Sequence, residues 1–162
     1  MITIGIDPGL ERTGIAILKE EKGRVELIKS ELIQTSSTLK EVERLEFLFN
    51  EVNKVINEFK IDFAAVEKIY FSKNVKTAMS IAQARGVILL ALQLKKIPIF
   101  EYTPLEVKKA LIGYGRGSKN QIQELVKMIL KLEKKPEPDD IADAIAIAIT
   151  HININKFMSK IK

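Results

Sequence analysis

Residues 2–33 read ITIGIDPGLERTGIAILKEEKGRVELIKSELI and contain three predicted β-strands. The first strand alternates isoleucine with small or polar residues, which is typical of a strand that buries one face. A second strand over residues 14–18 and a third over residues 25–33 each follow a turn that contains glycine. Because the connections are short, we expect the three strands to form an antiparallel meander.

Helices and two further strands are predicted after this meander. Apolar residues spaced by three and four predict a helix over residues 39–59, which Thr38 and Glu41 would open as a capping box. Residues 63–66 are short and apolar enough for a buried strand, and the helical crossover makes this strand parallel to the first. The remaining predictions are a helix over 77–94, a strand over 97–102, a short helix from Thr103-Pro104, a helix over 118–132 and a last helix from Asp139 to about His151.

This order of elements predicts an α/β fold of the ribonuclease H-like type. Its mixed five-stranded sheet would have three antiparallel strands followed by parallel strands, with helices on both faces. At 162 residues the chain is expected to form one domain, 1–162. The helix over 77–94 is apolar nearly all round, so we expect it to supply a homodimer interface through outward residues such as Leu89 and Leu92.

The composition excludes several classes of protein. The chain has no cysteine and one histidine, which excludes a disulfide framework, a cysteine nucleophile and a zinc enzyme. Any metal would have to be held by carboxylates. We find no apolar run near the ~18 residues of a membrane span and no basic leader segment, and we therefore expect a soluble, cytoplasmic protein without membrane contact.

Charges are distributed unevenly along the chain. The net charge is +5, but residues 1–67 carry a net −4, whereas residues 68–123 carry ten basic and two acidic side chains. Such a basic block indicates a polyanionic partner, and nucleic acid is favoured over a membrane because no strongly amphipathic basic helix accompanies it. The alternative is that these basic residues are merely solvated.

Two carboxylates end predicted strands that should be neighbours. Asp7 ends the first strand, and Glu67 follows the four apolar residues of the fourth. If these strands are adjacent and parallel, both side chains emerge at one sheet edge, where they repel each other unless a cation lies between them. Each residue also has a simpler explanation, since Asp7 could begin a turn and Glu67 could end its strand by chance.

A third acidic group begins the last predicted helix. Asp140 and Asp143 are three residues apart on one helical face, and the apolar residues of the opposite face would pack this helix on the sheet. The helix dipole explains one aspartate in a first turn, but not three within five residues. Asp7, Glu67, Asp140 and Asp143 make an all-oxygen site suited to Mg²⁺ or Mn²⁺, in which two ions ~4 Å apart would hold a phosphodiester.

Several blocks of the sequence, taken in order, resemble a known family. They are Gly5-Ile6-Asp7-Pro8-Gly9, Glu67 with an aromatic residue shortly after it, Gln83-Ala84-Arg85-Gly86, Phe100-Glu101-Tyr102 and the stretch from Asp143 to His151. They are similar to those of the RuvC-type Holliday-junction resolvases over about residues 1–152, which leaves a short basic C-terminal tail. The resemblance implies a homodimeric endodeoxyribonuclease that resolves four-way junction DNA in recombination and repair. It further implies Mg²⁺ as the cofactor, with Mn²⁺ as a substitute, 5′-phosphate products, and RuvA and RuvB as partners.

The resemblance also implies roles for individual residues. Asp7, Glu67, Asp140 and Asp143 match the family's four acidic positions, and Tyr70 falls where an aromatic residue stacks on bases at the junction centre. Alternatively, Tyr70 covers apolar surface. The expected DNA-binding residues are basic apart from this tyrosine: Tyr70, Lys73, Lys76, Lys108, Arg116 and Lys119, of which Lys119 would also act at the scissile phosphate. Whether Asp139 joins the metal site, and whether Lys109 shares the task of Lys108, stays open.

Two other functions compete with this interpretation. The first ten residues also resemble the phosphate-binding start of actin-like and sugar-kinase-like ATPases, but a chain of 162 residues lacks the second half of such a nucleotide cleft. A non-catalytic junction-binding dimer would keep the basic surface but would not need all four carboxylates. The Gly113–Lys119 segment is not a Walker loop, because its lysine does not directly follow the last glycine.

Overall fold

Five strands form one mixed sheet in the computed structural model, which describes residues 1–68, 75–113 and 118–161. The strands are β1 (Ile2–Asp7), β2 (Arg12–Glu21), β3 (Arg24–Gln34), β4 (Phe63–Glu67) and β5 (Ile99–Tyr102). Their order across the sheet is β3-β2-β1-β4-β5, with β1–β2 and β2–β3 antiparallel and with β1–β4 and β4–β5 parallel. The predicted antiparallel meander and the parallel fourth strand are therefore confirmed.

Helices cover both faces of the sheet, as the sequence predicts. They are α1 (Glu41–Glu58), α2 (Val75–Leu94), α3 (Pro104–Ile112), α4 (Lys119–Leu130) and α5 (Asp139–Ile161). One face packs on α1 and α2 through residues such as Ile6, Val52 and Ile88, and the other packs on α3, α4 and α5. Adjacent residues of a strand point to opposite faces of the sheet. Because helices cover both faces, consecutive residues of β1 and β2 are buried.

The start of α1 differs from the sequence prediction. Lys40 is the N-cap, and its backbone N–H donates to Glu43 Oε2 at 2.7 Å. The predicted capping box of Thr38 with Glu41 is wrong, because the Thr38 hydroxyl lies 2.7 Å from the Ser36 hydroxyl in the preceding turn. A short polar side chain that bonds within a turn in this way is lost to the helix.

The last helix is longer than predicted. α5 continues ten residues past His151 and packs there against the β2–β3 hairpin. Lys156 pairs with Glu20 at 3.3 Å, and Asn155 donates to the Met1 sulfur at 3.1 Å. The basic C-terminal segment is therefore a continuation of the helix, held by contacts that its own composition does not reveal.

The outward face of α2 is also different from the prediction. Leu92 is fully buried and Leu89 packs against the core, so the prediction that these two residues face outward is wrong. The helix contacts α1 through the face that holds Leu92, which leaves Met79, Leu90 and Leu94 more than half exposed. α2 does have more apolar residues than its core face needs, but these lie about a third of a turn around the helix from Leu89 and Leu92.

Among the described residues, one segment, Thr77–Leu94 of α2, is long and apolar enough to span a membrane by length and composition. The expectation that no apolar run approaches this length is therefore wrong. Ala84, Ile88 and Leu92 of this segment lie fully buried in the core beside α1. In this structure 22% of the segment is buried, so one face of the helix packs on the core and the remaining residues are partly or fully exposed.

Candidate active site

The sheet brings Asp7 and Glu67 together at the ends of β1 and β4. The parallel register pairs Ile6 with Val66, so that these carboxylates occupy the next position on each strand. The Asp7 and Glu67 side chains share a hydrogen bond. The predicted adjacency of the two carboxylates is thus present in the structure.

Two glycines let α5 lie unusually close to the sheet. A Cβ atom built on Gly14 of β2 would collide with the backbone carbonyl of Asp140, and one built on Gly5 of β1 would collide with the carbonyl of Ala144. Any other residue at these positions would push the first turns of α5 outward. The glycines therefore set the distance between the α5 aspartates and the strand carboxylates.

Lys119 connects α4 to the acidic start of α5. Its Nζ lies 3.1 Å from Asp143 Oδ2 and 3.1 Å from Asp139 Oδ2. Gln123, one turn further along α4, donates to Asp139 Oδ1 at 2.6 Å. Ser118 accepts from the Gln121 backbone N–H at 3.2 Å and caps α4, which fixes the helix turn that carries Lys119.

Arg12 is a cation in this site that the sequence analysis missed. It begins β2 beside the end of β1, and its Nη2 lies 2.7 Å from Asp140 Oδ2. The turn that precedes it is tied by the Thr13 hydroxyl, which donates to the Gly9 carbonyl at 2.6 Å. The sequence did show a basic residue a few positions after Asp7. The direction in which its side chain points, however, depends on this turn.

Burial dominates the electrostatics of the site. It raises the pKa of Asp7 to about 8, and the nearby charges of Glu67, Asp143 and Asp140 act in the same direction. Burial also raises the pKa of Glu67, although the hydrogen bond from Asp7 opposes the shift. The pKa of Asp143 is likewise raised by burial, with Lys119 opposing it. Without metal, burial and the neighbouring carboxylates therefore favour the protonated form of Asp7.

The donor set fits a hard divalent cation. Asp7, Glu67, Asp140 and Asp143 supply oxygen ligands alone. Burial, followed by the charges of neighbouring carboxylates, raises the pKa values of Asp7, Glu67 and Asp143, which is the cost of holding these groups together without a metal. Within the described part of the chain, no three acidic or histidine side chains enclose an ion as they stand. Arg12 pairs with Asp140 and Lys119 pairs with Asp143, so a bound cation would compete with these two side chains for the carboxylates.

The other expected DNA-binding residues are placed only in part. Lys108 lines a cleft of about 180 Å³ together with Glu67, Lys119 and Asp143. Lys76 lies in the first turn of α2, where the structure describes the backbone. Tyr70, Lys73 and Arg116 lie outside the described residues.

His151 is buried away from the carboxylates. Its Nδ1 lies 2.8 Å from the Tyr102 hydroxyl, and its ring centroid is 4.4 Å from that of Phe100 and 5.1 Å from that of Phe63. Burial lowers the pKa of His151, which keeps the ring neutral. The histidine joins α5 to β4 and β5 and is too far down the helix to serve the acidic edge.

A five-stranded ribonuclease H-like sheet with carboxylates gathered where β1 and β4 end is the framework of a class of nucleases. Residues 3–151 match the family model described as "Crossover junction endodeoxyribonuclease RuvC". A crossover junction endodeoxyribonuclease RuvC of Finegoldia magna is 46% identical over 157 residues, which cover 97% of this chain and 96% of the relative. The chain belongs to the RuvC family of crossover junction endodeoxyribonucleases.

Solved structures agree with this assignment. The Thermus thermophilus RuvC structure matches with a TM-score of 0.91 and 32% identity, over 98% of this chain and 97% of that one. T. thermophilus RuvC in complex with Holliday junction substrate matches with a TM-score of 0.89 and 30% identity, over 97% and 96% of the two chains. This protein is a Holliday-junction resolvase, and membership of this nuclease family implies the use of divalent metal ions.

Proposed function

We propose that this resolvase cuts opposed strands of a four-way junction by Mg²⁺-dependent hydrolysis, which leaves 5′-phosphate ends. Asp7, Glu67, Asp140 and Asp143 would hold two Mg²⁺ ions, and Mn²⁺ would substitute for them. The observation that carries the proposal is the convergence of these carboxylates, with raised pKa values on the three most buried, at one edge of the sheet. When bound, the metal would activate water and stabilise the leaving oxygen.

The chain's own residues would position the scissile phosphate. Lys119, already beside Asp143, would turn its ammonium toward a phosphate oxygen once the carboxylates bind metal. Lys108 lines the same cleft and would contact a neighbouring phosphate. We further propose Tyr70, Lys73, Lys76 and Arg116 as DNA-binding residues, with Tyr70 stacking on bases at the junction centre.

Removal of divalent metal by chelation should abolish DNA cleavage and leave junction binding intact. We expect paired nicks in a synthetic mobile four-way junction with Mg²⁺ and none in excess EDTA, while electrophoretic mobility shifts persist in EDTA because basic residues contact many phosphates. A linear duplex of matched sequence serves as the control and should stay uncut. Undiminished cleavage in EDTA would exclude the metal site, and ligation of the nicked products would test for 5′-phosphate ends.

A homodimer through α2 is the second part of the proposal. Gly86 is exposed in the middle of α2, where a built Cβ meets no atom within 4 Å, although glycine costs a helix ~1 kcal/mol relative to alanine. The exposed Met79 lies about two turns before Gly86, and the exposed Leu90 lies about one turn after it. These features favour close approach of a second copy, and two active sites would account for two coordinated nicks.

We therefore expect Leu90→Glu to convert the dimer into a monomer and to abolish paired cleavage. A charge on this 53% exposed side chain costs the monomer little but would be buried in the interface. Sedimentation velocity at high micromolar concentration measures the change. Met128→Glu, which alters a 70% exposed apolar residue on α4, is the control and should remain dimeric. A wild-type monomer at this concentration would contradict the proposal.

The cellular setting is proposed from the family alone. A cytoplasmic location and cooperation with RuvA and RuvB are expected of a nuclease that completes recombination. Copurification of these partners with the wild-type protein on immobilised junction DNA tests the association. Loss of copurification in a no-junction control would show that DNA bridges the proteins.

A further inference from the structure

Arg12 lies at the rim of the carboxylate cluster, between two open grooves. One groove, of about 870 Å³, is lined by the turn at residues 9–12 and by the starts of α1 and α2, and it includes Arg44. The other, of about 750 Å³, is lined by Arg12, Lys119 and the residues from 137 to 140. The Arg12 side chain is 40% exposed. Arg12 therefore borders both grooves.

Each carboxylate of the site has a partner in the structure. Asp140 pairs with Arg12, Asp143 pairs with Lys119, and Asp7 is hydrogen-bonded to Glu67. A divalent cation that binds these carboxylates therefore competes with Arg12 and Lys119 for their negative charge. The positive charges of Arg12 and Lys119 act as counter-ions for the acidic cluster.

Arg12 has one carboxylate partner, whereas Lys119 has two, so release of Arg12 breaks fewer contacts. Its contact with Asp140 is a partly exposed ion pair, a type of interaction that contributes little to stability because water screens it. Its Nε is buried and has no hydrogen-bond partner among the described residues, so the guanidinium is incompletely satisfied where it lies. Lys119, in contrast, is shared by two aspartates. A guanidinium with unused donors is well suited to bidentate binding of a phosphate.

We propose that Arg12 is a substrate-binding residue that metal releases: it neutralises Asp140 until a divalent cation takes that carboxylate, and it then binds a phosphate of the junction backbone. Metal loading and DNA binding would thereby be coupled through one side chain. The proposal rests on the proposed function, because it needs the carboxylates to hold the metal. It adds a residue that supplies part of the binding energy only in the loaded protein.

An opposite role for Arg12 gives the proposal a sharp test. If Arg12 orients Asp140 for the metal and stays in place, its removal should weaken metal binding, as loss of such supporting partners does by about 10–100-fold. If it is a displaced counter-ion, its removal should strengthen metal binding. The sign of the change therefore separates the two roles.

The first measurement is Mn²⁺ binding without DNA, with free Mn²⁺ measured by electron paramagnetic resonance. We expect Arg12→Gln to bind Mn²⁺ about 3–10-fold more tightly than wild type. The matched control is Arg24→Gln, which makes the same change on an exposed residue of the β2–β3 hairpin and should leave the affinity unchanged. Equal or weaker binding by Arg12→Gln, or an equal gain in both variants, would overturn the proposal.

The second measurement is junction affinity by fluorescence anisotropy at several salt concentrations, in Ca²⁺ and in EDTA. We expect Arg12→Gln to lower the salt slope by about one unit in Ca²⁺ and to leave it unchanged in EDTA. A loss of the same size in both media would show a metal-independent contact, and no loss in Ca²⁺ would show no contact. Both outcomes contradict the proposal. Absence of Mn²⁺ binding by the wild-type protein would instead contradict the proposed metal site.

Discussion

Replacement of Asp7 by Asn should lower cleavage of four-way junctions by about 10³-fold or more, while the protein without metal becomes more stable. Asp7 is buried beside Glu67, and the cost of holding charge there raises its pKa to about 8. The amide of asparagine keeps the shape and can donate to Glu67 as the protonated acid does. It removes a metal ligand. It also removes a negative charge that is costly to bury in the metal-free protein.

The gain in stability should depend on pH. A carboxyl whose folded-state pKa is about 8, against an ordinary value of 3.8, binds more protons in the folded than in the unfolded state between these limits. The contribution of this carboxyl to folding stability is complete below pH 3.8 and is lost as the pH rises through about 8. In EDTA, the Tm of wild type should therefore fall relative to that of Asp7→Asn as the pH rises from 5 to 9, with a difference of at least about 3 °C at pH 9.

Asp62→Asn is the matched control for this comparison. Asp62 is an exposed carboxylate at the opposite end of the sheet, where its Oδ2 accepts from the Ile2 backbone N–H at 2.7 Å. This variant should cleave at the wild-type rate and should show no rising Tm difference toward pH 9. Wild-type cleavage by Asp7→Asn would exclude Asp7 as a metal ligand, and a pH-independent Tm difference would exclude the proposed cost of its charge.

Replacement of Gly14 by Ala should lower cleavage by about 10²-fold although no acidic residue is changed. The added Cβ collides with the carbonyl oxygen and carbon of Asp140, which are backbone atoms and cannot rotate away. The start of α5 must then move outward, and misplacement of catalytic groups by about 1 Å costs a factor of this size. Overpacking should also cost ~1–3 kcal/mol of folding stability. Cleavage rates and Mn²⁺ affinity measure the displacement directly.

Gly23→Ala is the control that separates displacement of the α5 aspartates from a general loss of folding stability. Gly23 has φ of +87° in the β2–β3 turn, and its Cβ position is free of contacts within 4 Å. Alanine there should cost ~1 kcal/mol through backbone strain alone. Below its melting temperature this variant should cleave and bind Mn²⁺ like wild type. If Gly14→Ala does the same, close seating of α5 does not position the aspartates.

The order of the elements followed from local sequence, because each element carries its own signal. Alternation in the first thirty-four residues, the crossover helix and the short apolar strand were sufficient for the sheet order near β1. The same reasoning placed Asp7 and Glu67 side by side, since parallel neighbouring strands end at one edge. Asp140 and Asp143 followed from the start of a helix that packs on this sheet.

Errors arose where two segments compete for the same contacts. The surface of α2 is one example, because a helix that is apolar all round gives no local indication of which face meets α1. The start of α1 is another, because Ser36 and Lys40 offer alternative partners to Thr38 and Glu43. The length of α5 depends on the hairpin that its last turns contact.

The sequence by itself determined the fold class, the family and the carboxylates, because these depend on periodicity and on residue types in a fixed order. Only the tertiary structure decided how those charges are balanced. Arg12 and Asp140 are separated by 127 intervening residues, and their ion pair exists because Gly14 lets α5 approach β2 closely enough. An interaction between distant segments depends on the approach of two backbones, and no local pattern in either segment records that distance.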